Sequence, residues 1–298
     1  MKIKRVSIIG ANSFLAQNLI KYLVTDSMNI ELYLYDIQEE SYNELDFPYS
    51  KVNLMNIEEI RGIVLDVDYV FYFTGKTGTT SGFENYCSFI EINEIALLNF
   101  LKVYVEKGSN AILIYPSTRL VYKHNEYELI DENGINELKS IYAITKYAAE
   151  KYIELYHNVY GVNYIIFRIG TPWGSILNNE GNYGTFKFFV ESAKNNKVIT
   201  LYGNGNIKKT YTHIINICEI FKYVICSNSD SLVNQVFNVG GVNKTLNEIA
   251  KTIAQRYDAN IVHIPWPKID YLVDGGTVLL NSKKLDKIIN ITYKNIDF

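Results

Sequence analysis

Short apolar runs alternate along this chain with stretches whose apolar residues recur at helical spacing, and that alternation restricts the folds open to it. Val6-Ser-Ile-Ile-Gly10 comes first, followed by Leu15, Leu19, Tyr22 and Leu23 on one helical face, which predicts a strand, a glycine turn and a helix. Further strands are expected at Ile30–Asp36, 69–73, 111–115 and 164–168, with helices near 93–106 and 138–156 between them. Parallel strands need long crossover connections, so the alternation predicts an α/β fold: a parallel sheet covered by helices. After Gly170 the regular beat stops. Pro172, Trp173, Gly174, Gly181 and Gly184 mark loops, and the segment past Asp270 reads only as loop and short helix. The expected organisation is a sheet domain over 1–170 and a smaller α+β part over 171–298, with some later segments returning to the sheet.

Bulk properties narrow the function classes. The 298 residues carry 29 basic against 32 acidic side chains, a net charge of -3, with no basic block suited to nucleic acid or an anionic membrane. Small-molecule chemistry is expected. No apolar run approaches the roughly 18 residues of a membrane span, so a soluble protein is expected. Three widely spaced cysteines, Cys87, Cys218 and Cys226, give no disulfide framework or CxxC site, which fits a reducing cytoplasm. His124, His157, His213 and His263 are dispersed without ligand spacing, so no metal site is expected.

Two local patterns carry chemistry. Tyr142-Ala-Ile-Thr-Lys146 places a phenol and an ammonium four apart on one helix, hence on one face. A free phenol, with a pKa of about 10, is a poor base at neutral pH, and a neighbouring cation favours the phenolate. Thr118 would share the substrate oxygen whose proton Tyr142 moves. The second pattern is the turn Gly10-Ala-Asn-Ser-Phe-Leu-Ala16. Dinucleotide turns use three glycines for a tight bend and close approach to pyrophosphate; here the positions read Gly10, Ser13 and Ala16, of which the latter two are at least small. The helix begins where its amides would face an anion. Asp36, ending the next strand, can accept hydrogen bonds from both ribose hydroxyls of NAD and would repel the extra phosphate of NADP.

In order and spacing, these and further segments resemble the extended short-chain dehydrogenase/reductases, specifically the NAD-dependent epimerase/dehydratase family acting on nucleotide sugars. Asp68-Tyr-Val-Phe-Tyr-Phe-Thr-Gly75 is similar to the family's D-x-V-x-H-L-A-A, with Tyr72 in place of His. Asn93 to Asn99 resembles N-x-x-G-T-x-N, Ser117 to Tyr122 resembles S-[ST]-x-x-V-Y, and Arg168 to Gly174 resembles R-x-x-N-x-Y-G. Tyr202-Gly-Asn-Gly205 through Asn216 and Asn238-Val-Gly-Gly241 continue the series. The resemblance implies a Rossmann-type doubly wound parallel sheet with a smaller C-terminal α+β substrate part. Its catalytic residues would be Thr118, Tyr142 and Lys146. NAD would meet Gly10, Asn12, Ser13, Phe14, Leu15, Asp36, Ile37, Phe73, Thr74, Gly75, Asn93, Tyr142, Lys146 and Ile169. The nucleotide-sugar substrate would meet Thr118, Thr171 and Lys209. Thr171, Lys209 and Asn216 depart from the family's Asn, Arg and Asp, and Lys209 lacks the bidentate geometry of Arg.

The residues after Thr118 separate the subclasses. The family's 4,6-dehydratases place Asp and Glu there to expel water, and its decarboxylases place Glu at the second position. Arg119 and Leu120 stand in those places, which argues against both. An epimerase, which oxidises a sugar carbon and returns the hydride to the other face, is the leading expectation because Asp36 favours NAD. An NAD(P)H-dependent 4-keto-sugar reductase is the alternative, and a cofactor-binding scaffold without turnover a further one. Trp173 could stack on a base or simply pack, Ser117 could cap a strand end, and Lys76 and Lys208 could be solvated. The resemblance also implies a homodimer through the helices near Asn93 and Tyr142, where Ile95, Leu97, Leu98, Tyr147 and Tyr152 supply apolar surface.

Overall fold

The structure is a computed structural model that describes residues 3–26, 28–42, 47–177, 184–227 and 230–296; Gly181, read above as loop, lies outside them. In chain order the strands are β1 (Lys4–Ile9), β2 (Ile30–Asp36), β3 (Tyr49–Lys51), β4 (Tyr69–Tyr72), β5 (Ile112–Thr118), β6 (Tyr164–Ile169), β7 (Thr171–Trp173), β8 (Val198–Tyr202), β9 (Lys208–His213), β10 (Gln235–Asn238), β11 (Val242–Thr245) and β12 (Asn260–Ile264). Seven form one sheet in the order β10-β6-β5-β4-β1-β2-β3. Val6 pairs in parallel with Leu32 of β2 on one side and Tyr69 of β4 on the other, so the sheet grows in opposite directions from β1. Helices flank this sheet, and the expected Rossmann-type α/β fold is present. A reversal of strand order opens a crevice at the carboxyl ends of the strands, which is where such sheets bind ligands.

The chain divides into two units. The first is Met1–Thr118, Ser140–Arg168 and Ile220–Phe237. Its core draws on both periodicities of the sequence: β4 is buried along its whole length, while the Phe14–Thr25 helix buries Ala16, Leu19, Ile20 and Leu23. The second unit is Arg119–Lys139, Ile169–Glu219 and Asn238–Phe298. It contains a three-stranded sheet, β11-β9-β7, and the pair β12-β8. The chain past Asp270 is more ordered than loop: Lys283–Asp286 is a short helix, and bridges pair Leu280 with Ile130 and Val278 with Lys209.

The helix that carries Tyr142 and Lys146 runs Ile141–Tyr160, starting and ending later than its periodicity suggested. Its bounds follow from caps. The Ser140 hydroxyl accepts the Ala143 N–H at 3.1 Å, and Gly161 takes the left-handed conformation, φ 73°, as it donates to the His157 carbonyl at 2.8 Å. Among the described residues no helix is long and apolar enough to cross a membrane.

Candidate active site

The turn after β1 is held by its surroundings. Gly10 has φ +83°, and a Cβ there would sit 2.6 Å from the Thr74 nitrogen, so only glycine fits between the ends of β1 and β4. Gly10 and Ala11 N–H groups donate to the Tyr35 carbonyl at 2.8 and 3.0 Å. Ser13 caps the following helix, accepting from the Ala16 N–H. Asp36 accepts from the Asn12 N–H at 2.9 Å and the Gln38 N–H at 3.2 Å, which fixes its carboxylate at the end of β2.

These ends enclose a cavity of about 340 Å³. Gly10, Asn12, Ser13, Asp36, Ile37, Phe73, Thr74 and Gly75 line it, eight positions assigned to cofactor binding from sequence. The volume lies within the range of small-molecule sites, about 300–1,000 Å³. A glycine allowing backbone approach, a helix start and a strand-end carboxylate suit the adenosine and pyrophosphate of a dinucleotide. Sequence reasoning missed other parts of the wall, among them Tyr42, Asn53, Leu54, Met55 and Ile92. The loop at 53–55 follows β3, and its position at the carboxyl end of a parallel strand was the available signal. Asn12 braces another loop: its amide donates to the Glu40 carbonyl at 2.9 Å and accepts the Tyr42 N–H at 2.8 Å. Phe14 and Leu15 begin the helix, outside this wall. Ile169 ends β6 and Thr171 begins β7, opposite Tyr211.

The Ile141–Tyr160 helix stacks Tyr142, Lys146 and Glu150 at successive i, i+4 positions. Lys146 is buried, with its Nζ 3.9 Å from the centroid of the Tyr115 ring, a cation–π geometry. Burial lowers its pKa from 10.5 to about 7, against the opposing pull of the Glu150 carboxylate. Tyr115 is also buried, and loss of solvent raises its phenol well above the ordinary value, so it stays neutral beside the ammonium. Thr118 ends β5 and is buried.

Two side chains support this helix: Glu150, which belonged to no motif, and Asn93, which did. Glu150, fully buried, pairs with Arg168 through Nη2 at 2.6 Å and Nε at 3.1 and 3.2 Å, and accepts the Ser117 hydroxyl. Ser117 therefore anchors the helix to β5 rather than capping the strand end. Asn93 lies in a π-helical turn, Glu91–Ile95. Its oxygen accepts the Lys76 N–H at 2.7 Å, and its amide nitrogen donates to the Lys76 carbonyl at 3.0 Å and to Thr145 Oγ1 at 2.9 Å. Thr145 in turn donates to the Tyr142 carbonyl at 3.1 Å. The Asn93 side chain thus ties the loop after β4 to the helical turn of Tyr142, and π-helical turns are frequent at functional sites. Lys76 is not merely solvated, since its ammonium donates to Ser88 Oγ at 2.6 Å.

In the second unit Lys209 and Tyr211 share one face of β9, both buried. Burial and the nearby Arg119 charge lower the Lys209 pKa to about 8, while Asp274 opposes this from 3.9 Å. Trp173 packs on Phe186 and His213 in the core rather than standing open for stacking. Asn216, where the family has Asp, is structural: it donates to Glu219 at 2.8 Å and to the Thr292 carbonyl at 3.0 Å, and accepts the Lys294 N–H at 2.9 Å.

A model of the NAD dependent epimerase/dehydratase family matches residues 6–240, more than three quarters of the chain. The chain belongs to that family. Its cofactor is NAD. Among curated relatives, a CDP-paratose 2-epimerase of Salmonella typhi is 26% identical over 269 residues, covering 80% of this chain and 79% of its own length. A putative UDP-glucose 4-epimerase of Methanocaldococcus jannaschii is 26% identical over 186 residues, 62% of this chain and 59% of that protein. Among solved structures, the UDP-glucose 4-epimerase of Thermus thermophilus in complex with NAD superposes with a TM-score of 0.82 at 22% identity, covering 95% of this chain and 92% of that one. At that identity the likeness shows the shared fold.

Proposed function

We propose that the protein is an NAD-dependent nucleotide-sugar epimerase whose proton chemistry is done by Thr118, Tyr142 and Lys146. The observation that carries this reading is the buried Lys146, held one helical turn beyond Tyr142 with a pKa near neutrality. Bound NAD supplies the acceptor, and later the donor, of a hydride. Tyr142 takes the proton of a sugar hydroxyl as that carbon is oxidised and gives it back when the carbon is reduced. A charged Lys146 lowers the cost of the phenolate, and Tyr115, too buried to ionise, does not compete as a base. The Thr118 hydroxyl shares the reacting oxygen. Gly10, Asn12, Ser13, Asp36, Ile37, Phe73, Thr74 and Gly75 hold the adenosine and pyrophosphate half of NAD; Phe14, Leu15 and Ile169 complete its surroundings. Asn93 is a positioning residue, acting through Thr145 on the Tyr142 turn. Thr171 and Lys209 meet the substrate, Lys209 as a point charge for the diphosphate.

Epimerisation is favoured over dehydration by the two residues next to Thr118. Leu120 carries no proton and packs so close to Gly275 that a Cβ there would lie 2.7 Å from its Cδ2. Arg119 is buried and cationic. Neither can expel water from a sugar. The exposed apolar side chains Ile90, Ile95, Ile144 and Leu155 on these helices support a homodimer; Leu97, proposed for that face from sequence, lies instead in the core.

Proton NMR of the anomeric region tests the activity, using NAD-loaded protein with a panel of UDP-, dTDP-, GDP- and CDP-sugars. A second sugar appears without net reduced cofactor, and Tyr142→Phe slows its appearance by about 10²–10⁴-fold. Conversion only of 4-keto sugars with reduced cofactor establishes the reductase instead, and unimpaired turnover by Tyr142→Phe removes the mechanism.

A further inference from the structure

Lys146 is buried inside the first unit, and among the described residues its ammonium forms no hydrogen bond. What it touches is the face of the Tyr115 ring, with Nζ 3.9 Å from the centroid. The carboxylate that attracts it, Glu150, is committed elsewhere: its oxygens accept Arg168 Nη2 at 2.6 Å and Nε at 3.1 and 3.2 Å, and the Ser117 hydroxyl. A carboxylate already paired with a guanidinium leaves little net field for a second cation. A buried ammonium without its own anion sheds its proton unless another group favours the charge. The negative face of an aromatic ring is such a group.

The ring is held in that attitude. Tyr115 is 1% exposed, Tyr72 of β4 packs against it with ring centroids 6.3 Å apart and planes at 34°, and Phe100 backs Tyr72 at 5.3 Å. Tyr72 stands where the family pattern has His, and burial raises its phenol far above the ordinary value, so no second charge develops behind the ring. The other titratable groups whose fields reach Tyr115 are Tyr142 and Glu150 from the helix and Glu94 from the π-helical turn. Glu94 accepts the Tyr152 hydroxyl at 2.8 Å.

We propose that Tyr115 is a positioning residue for the reaction: its ring face holds the Lys146 ammonium in place and in its charged form, one helical turn from Tyr142. This rests on the assignment of Lys146 to proton chemistry above and deepens it. A ring takes one side of an ammonium and leaves its remaining N–H groups for hydrogen bonds, so one cation serves both. Burial brings Lys146 down to about 7, where at neutral pH it stands at the edge of losing its charge. A cation–π contact with a desolvated ammonium holds its pKa up by about 0.5–1.5 pH units. The ring face, not the Tyr115 hydroxyl, is the active feature.

The test is NMR titration of the Lys146 ε-carbon in NAD-loaded protein made with labelled lysine, the signal being identified by its loss in Lys146→Met. Wild type is compared with Tyr115→Phe, Tyr115→Leu and a protein carrying trifluorophenylalanine in place of Tyr115. Tyr115→Phe keeps the ring face and is expected to titrate within about 0.3 pH units of wild type, whereas Tyr115→Leu titrates about 0.5–1.5 pH units lower. The fluorinated ring, close to phenylalanine in shape but with electron density withdrawn from its face, falls between the two. As Lys146 loses its charge the Tyr142 phenolate becomes costlier, so the alkaline fall in turnover moves down with the Lys146 signal. A fluorinated ring that titrates like Tyr115→Phe overturns the proposal, even if Tyr115→Leu fails to fold. So does a Tyr115→Phe protein shifted as far as Tyr115→Leu, which makes the hydroxyl the active group, or a turnover profile that stays put while the signal moves. The titration needs no substrate: if no nucleotide sugar is turned over, the epimerase reading fails, and the Lys146 signal still decides the ring contact.

Discussion

Lys146 is the residue on which chemistry and stability pull in opposite directions. The unfolded chain protonates this amine near its ordinary 10.5, the folded chain only near 7. Between those values unfolding takes up a proton, so the stability associated with Lys146 rises with pH across the window and is lowest below about pH 7. Lys146→Met is therefore expected to raise stability, by about 1–3 kcal/mol near neutral pH and less at about pH 9.5, while turnover collapses. Thermal denaturation at the two pH values measures this; a variant less stable than wild type at both refutes it. The Tyr142 and Lys146 pair was legible because helical spacing and chemical type suffice to define it. Tyr115 beneath Lys146 was not, since nothing in a strand sequence says which aromatic will lie under a side chain from another element.

At the scale of elements, the helix that carries Tyr142 and Lys146 is positioned by polar side chains in the first unit's interior. Glu150 and Arg168 form a pair shielded from water, with Ser117 as a third member. Removing one member leaves an uncompensated charge, so Glu150→Ala is expected to cost about 3–5 kcal/mol, whereas Glu150→Met combined with Arg168→Met costs much less. Urea unfolding of the three proteins checks this, and additive losses in the double variant would contradict the coupling. Strands β1, β2, β4, β5 and β6, the turn at Gly10 and the order of the elements between them followed from periodicity and glycine placement; β3 and the strands after β6 did not. Helix limits did not, because Ser140 and Gly161 override the apolar pattern at its ends. The buried Glu150 network was invisible for a different reason: its members lie 18 and 33 positions apart and meet only once β5, β6 and the helix are packed.

For the molecule as a whole, the sheet's change of direction at β1 opens the crevice in which we place the dinucleotide; a helix-covered parallel sheet could be read from alternation, and its Rossmann type from the family resemblance. What alternation cannot give is the composition of the cavity wall, since the loop at 53–55 reaches it only through β3 pairing with β2. The exposed Ile144 and Leu155 belong to the helix that carries Tyr142 and Lys146. Sedimentation velocity is expected to show a dimer that Ile144→Glu converts to monomer, and a monomeric wild type would end the dimer proposal. The most direct test of the central claim is to follow a substrate deuterated at the carbon that inverts. Hydride removal and return within one site predicts that the epimer keeps its deuterium and that no reduced cofactor accumulates. Loss of the label to water, or its stoichiometric appearance in released reduced cofactor, would contradict an epimerase working through Thr118, Tyr142 and Lys146.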